Sequence, residues 1–142
     1  MRTIGIQIDK SKAIFVVLEI DGYGIVRNVK HDFTYYVLDH DTDNESVRDF
    51  QSKVHAFFDD VQPERIVILA RQAKGRFRAS PVSFKLEGLM QCYEEIEVEF
   101  VSGHALTAFY KKNEFNIPLE YQYQEMAAKV ANYLIVKNEG EG

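Results

Sequence analysis

The apolar residues of this chain change rhythm along its length, and that change restricts the fold more than any other feature. Residues Thr3 to Asp9 alternate, with Ile4, Ile6 and Ile8 on one side. Side chains flip at every residue of a strand, so Thr3, Gly5, Gln7 and Asp9 share the other side. Lys12 to Ile20 is a long run rich in β-branched residues. Asp21-Gly22-Tyr23-Gly24 supplies turn chemistry, and Ile25 to Lys30 reads as the partner strand. Thr34 to Leu38 either extends that strand or forms a loop.

Helical spacing then takes over. Val47, Phe50, Val54, Phe57, Phe58 and Val61 predict an amphipathic helix, with Thr42 and Glu45 as a capping box and Pro63 as its end. The continuous run Arg65 to Ala70 is how a strand buried on both faces reads, commonly a parallel one. Ser80-Pro81 opens a second helix with the stripe Val82, Leu86, Leu89, Met90 and Tyr93. Ile96 to Val101 predicts another strand, and Ser102-Gly103 a short helix carrying Leu106, Phe109 and Tyr110. Pro118 precedes a last helix with Leu119, Tyr123, Met126, Val130 and Leu134 on one side. The expected product is a single α/β domain over residues 1–138 with a frayed tail at 139–142. Its mixed five-stranded sheet has three antiparallel strands, then two parallel ones, flanked by helices. This order resembles the ribonuclease H-like fold, as in the RuvC resolvases.

Lys74-Gly75-Arg76-Phe77, then Ser83-Phe84-Lys85-Leu86-Glu87 and Gln91, resemble the central signature of a bacterial family, domain of unknown function 3010. Gly5-Ile6-Gln7-Ile8, Lys111-Lys112-Asn113 and Tyr123-Gln124-Glu125-Met126-Ala127 are similar to it as well. The resemblance covers nearly the whole chain and implies the same fold, but no reaction. The RuvC-like arrangement implies an acid in the middle of the first strand, another at the end of the later parallel strand, and one or two on the last helix. A metal-dependent nuclease needs such a cluster to hold two cations. Gln7 stands at the first position, Ala70 and Arg71 at the second, and Glu125 resembles the helix acid. Asp9, about 7 Å beyond Gln7 on the same face, is the available substitute.

Charge is the other informative feature. The chain carries 17 basic and 22 acidic side chains, a net charge of -5, which excludes a globally basic nucleic-acid binder but not a local patch. From Arg71 to Leu86 there are five cations and no acid: Arg71, Lys74, Arg76, Arg78 and Lys85. Elsewhere 12 basic side chains face all 22 acids. Gly75 frees the backbone of this segment, and the helix opening at Ser80 points its positive dipole end toward it. Such a segment suits a phosphate, a nucleic-acid backbone or another polyanion, and Phe77 within it suits stacking on a base. Gly-x-x-x-x-Gly-Lys is absent, so it is no Walker loop.

The remaining candidates are plainer. Asp39, Asp41 and Asp43 mimic a calcium loop, but Asn44 and Phe50 stand where its Gly and bidentate Glu belong. The four His (31, 40, 55 and 104) lack metal-ligand spacing, and only His104 follows a parallel strand, where open α/β sheets place sites. The single Cys92 excludes an intramolecular disulfide and has no cation beside it. Asp9-Lys10-Ser11-Lys12 lacks the Gly-rich turn of an actin-like kinase. Phe84, Gly88 and Gln91 fall opposite the apolar stripe of the second helix and suggest a contact face for a partner or an oligomer. No run approaches about 18 apolar residues and the first residues do not read as a signal peptide, so the expected location is the cytoplasm. The preferred expectation is a catalytically degenerate domain, without cofactor, that binds an anionic partner, nucleic acid before any other polyanion, through Arg71, Lys74, Gly75, Arg76, Arg78 and Lys85. The alternatives are a Mg²⁺-dependent nuclease using Asp9 and Glu125 with Gln7 as a neutral ligand, and a protein-interaction module.

Overall fold

Strand β1 (Arg2–Asp9) pairs antiparallel with β2 (Lys12–Ile20) along its whole length, from Arg2 opposite Glu19 to Asp9 opposite Lys12. Only Lys10 and Ser11 make the turn, and Lys10 takes a positive φ of 57°. The computed structural model describes residues 1–70 and 80–141. Two short strands, β3 (Val26–Asn28) and β4 (Tyr35–Val37), both pair with β2. Residues 35–37 therefore form a separate strand on β2 rather than an extension of the third strand, with Thr34 and Leu38 just outside it. Strand β5 (Arg65–Leu69) lies parallel to β1, and β6 (Val98–Val101) lies parallel to β5. The sheet has the order β3-β2-β1-β5-β6, with β4 also on β2, so it has six strands rather than the expected five.

The period-two pattern of β1 sorts the two layers. Ile4, Ile6 and Ile8 are fully buried beneath helices α1 (Asn44–Val61) and α2 (Pro81–Gln91). Phe50, Val54, Phe57, Phe58 and Val61 of α1 supply the apolar stripe read from the sequence. The helix is capped one residue later than expected. Asp43, not Thr42, accepts a hydrogen bond from Ser46 N at 3.1 Å, and a carboxylate there also meets the positive end of the helix dipole. Gln62 closes α1 in the left-handed region just before Pro63.

Helices α3 (Gly103–Tyr110) and α4 (Glu125–Glu141) cover the opposite face. Ser102 caps α3 through Ala105 N. The last helix begins later than Pro118 suggested. A 3-10 turn, Gln122–Gln124, leads into Glu125, so Leu119 and Tyr123 lie upstream of α4. Apolar spacing ran on past the true start, because side chains of the incoming strap also pack on the sheet. The backbone of α4 runs from Glu125 to Glu141. Among the described residues no helix is long and apolar enough to cross a membrane.

Three tyrosines tie elements together. Tyr36 donates to Asp49 at 2.6 Å, Tyr93 to Asp59 at 2.7 Å, and Tyr110 to the carbonyl of Lys129 at 2.8 Å. The bond to Asp49 pushes the Tyr36 hydroxyl up to about 12. Burial, then Asp59, does the same for Tyr93, and burial for Tyr110, each to about 12. A raised pKa means the folded state holds these protons more tightly than the unfolded chain does. Their contribution is complete below the ordinary tyrosine value of 10.0 and disappears as the pH climbs toward 12. Tyrosinate absorbance should show a late fraction near pH 12, with stability falling across that window. Complete ionisation of all eight tyrosines near pH 10 in the folded protein would contradict the assignment.

Candidate functional site

The β1–β5 pairing is parallel, so both strands end at the same side of the sheet. Asp9 ends β1, and Ala70 follows β5, its amide held by the Val101 carbonyl at 2.8 Å. Helix α2 starts there too: buried Ser83 donates its hydroxyl to the Lys10 carbonyl at 3.0 Å. Ala70 and Ser80, the flanks of the basic segment, thus both lie at this end. Arg71, Lys74, Gly75, Arg76, Phe77 and Arg78 themselves lie outside the described residues. Lys85 is exposed on α2, and its ammonium donates to the Asp41 carbonyl.

Gly5 determines how closely α4 approaches. A Cβ on Gly5 would lie 2.0 Å from the Ala127 carbonyl oxygen and 2.8 Å from Ala131 Cβ. The buried residues Ala127, Ala128 and Ala131 keep this crossing tight. On the same face, two residues on, half-buried Gln7 sits opposite Ile14. Asp9, two further, is exposed. Glu125 begins α4 but is already engaged: Lys129 Nζ lies 3.0 Å from one oxygen, and Gln122 donates to the other. Glu125 lines an open cavity of about 670 Å³ with Asn113, Asn116, Gln122 and Lys129. Among the described residues no group of three His, Cys, Asp or Glu side chains is placed to hold a metal ion.

The donor chemistry here does not fit a two-cation centre. Hard divalent cations prefer carboxylate oxygens. Gln7 offers a neutral carbonyl, Asp9 lies exposed at the end of β1, Ala70 has no side-chain donor, and the one carboxylate on the first turn of α4 faces a lysine.

Other sequence candidates fall into ordinary positions. His104 is exposed on the first turn of α3, and Cys92 is exposed just beyond α2. His55 Nε2 meets the Leu89 carbonyl at 2.9 Å, and His31 meets Asp60 at 3.2 Å. Phe84 is 38% exposed, and Gly88 opens onto free space. Sequence reasoning did not bring together the tyrosines of β4 and of the turn before α4. Tyr35 on β4 meets Tyr123 on the 3-10 turn, with Lys12 over both rings. Their only sequence signal is local, the pairs Tyr35-Tyr36 and Tyr121-x-Tyr123.

The sequence model of a family described as "Protein of unknown function (DUF3010)" matches residues 1–134. The chain belongs to this family. No curated protein sequence matches the DUF3010 chain. Among solved structures it is similar to Thermus thermophilus RuvC, with a TM-score of 0.69 at 11% identity over 99% of this chain and 97% of that one. RuvC of T. thermophilus in complex with a Holliday junction substrate gives a TM-score of 0.67 at 13% identity, over 95% and 92%. The yeast mitochondrial Holliday junction resolvase Ydc2 gives 0.62 at 11%, over 94% and 77%. At such identities the likeness is one of fold: this DUF3010 chain has the ribonuclease H-like fold that its element order predicted.

Proposed function

We propose that this protein is a ribonuclease H-like domain that binds nucleic acid and does not cut it. The observation that carries the reading is the neutral Gln7 in the middle of β1, with Ala70 beyond β5. Both stand where the RuvC-like arrangement implies acids. The fold likeness to a resolvase solved with a Holliday junction supports nucleic acid as the ligand. The cations Arg71, Lys74, Arg76, Arg78 and Lys85 provide phosphate contacts, with Gly75 allowing close approach. Such contacts read charge rather than sequence.

The test joins binding to cleavage on one labelled four-way junction. Five phosphate contacts give a log–log salt slope near about -4.5, so affinity falls roughly 500-fold between about 50 and 200 mM salt. Lys74→Ala with Arg76→Ala should flatten that slope by about two and weaken binding on every sequence alike. No cleavage is expected with Mg²⁺ or Mn²⁺. Binding no tighter than about 10⁻⁴ M to every junction, duplex and single strand would reject the ligand class. Cleavage abolished by Asp9→Asn or Glu125→Gln would replace the reading with a divalent-metal nuclease.

A further inference from the structure

We infer that Tyr35, Tyr121 and Tyr123, with Lys12, form a stacking platform for unpaired bases of a single strand. This inference rests on the nucleic-acid reading above and names the form of nucleic acid the site takes. Three exposed large hydrophobic side chains gather here among the described residues: Tyr35 is 50% exposed, Tyr121 46% and Tyr123 38%. The Tyr121 and Tyr123 rings stack at 5.3 Å with 15° between planes. Tyr35 meets Tyr123 edge-on at 6.0 Å and 81°. Lys12 Nζ closes the corner, 5.4 Å from the Tyr35 ring centre and 5.9 Å from that of Tyr123.

The arrangement is held in place before any ligand arrives. Tyr123 shares a 2.7 Å hydrogen bond with buried Thr34, whose carbonyl accepts from Phe15 N. Buried Gln124 donates to the Phe15 carbonyl at 3.2 Å and accepts from Tyr121 N at 3.2 Å. Rings fixed in this way lose little further freedom on binding. Lys12 faces Asp9 in the β1–β2 register, yet among the described residues it has no carboxylate within ion-pair distance. Its charge therefore stays available to a phosphate beside ring faces. Exposed aromatic faces with a neighbouring cation suit single strands, because a duplex hides its base faces in its own stack. The platform lies on the sheet face of Gln7 and Asp9, since Ile14 opposite Gln7 is also the partner of Tyr35.

The test compares a labelled oligo(dT) strand with an abasic strand of equal length, whose phosphates are the same. The wild type should bind oligo(dT) at least about tenfold more tightly. Because the chain has no Trp, quenching of tyrosine emission on binding reads the stacking directly. Tyr35→Ala and Tyr121→Ala should each remove roughly tenfold for oligo(dT) and nothing for the abasic strand, while Tyr121→Phe keeps wild-type affinity. Equal binding of the two wild-type strands would overturn the platform, whether or not any variant folds, and would leave the phosphate-binding reading standing. Absence of binding to junction, duplex and single strand would overturn both. If Tyr121→Ala instead breaks up a self-associated species and leaves oligo(dT) affinity unchanged, the rings form a protein contact and the platform is rejected.

Discussion

Gly5→Ala is expected to destabilise the protein by about 3 kcal/mol, lowering the melting temperature by roughly 10 °C. Overpacking of a tight core usually costs about 1–3 kcal/mol, and this site stands at the upper end. The added carbon would approach the Ala127 carbonyl oxygen to 2.0 Å, a distance at which something must shift. The obstacle is backbone, so no side chain can rotate away. Helix α4 would have to lift from β1, disturbing Ala127, Ala128 and Ala131 together. Gln124 and the two tyrosines on its turn precede α4 directly, so the same substitution should loosen the platform. Thermal and urea unfolding check the first effect, and oligo(dT) affinity at low temperature the second. An unchanged melting temperature would mean that α4 does not cross β1 at this glycine.

Phe58→Ala is expected to cost about 3–5 kcal/mol without altering the preference for oligo(dT) over the abasic strand in the protein that remains folded. Phe58 is fully buried, with its ring 5.1 Å from Tyr93 and 6.3 Å from Phe15, both near edge-on. Removing it empties the centre of the α1–α2 side of the sheet. That side is turned away from α4, Gln7 and the platform tyrosines, which separates stability from stacking on the platform. Phe84→Ala is the internal control. Its ring is 38% exposed, and the change should stay within about 0.5 kcal/mol. Denaturant midpoints for the two variants measure the contrast. A small effect at Phe58 would contradict the packing described for this layer.

Features that repeat over many residues were legible in the sequence. Helix α1 shows five buried side chains at the spacing read from Val47 to Val61, because a long amphipathic period leaves one face to bury. The run at β5 announced a strand covered on both faces, and its parallel pairing with β1 and β6 bears that out. Short or competing signals failed. Strand β4 has three residues on a sheet edge, too few to show a period. Thr42 and Asp43 are adjacent capping candidates, and only the direction of the entering chain chooses between them. The start of α4 was read too early because Leu119 packs on the same sheet face as the helix it precedes.

The candidate site divides along the same line. The alternation of β1 was enough to put Gln7 on one face with Gly5 and Asp9, and the charge count was enough to isolate the cations between residues 71 and 86. Alternation follows from backbone geometry within a single strand and needs no partner. The Glu125–Lys129 pair is an i,i+4 contact within one helix, whereas tertiary structure alone brought Thr34 to Tyr123 across 89 residues. Such neighbours are selected by the approach of α4 over Gly5 and by the buried bond of Gln124 to β2, and neither leaves a period in the order of residues.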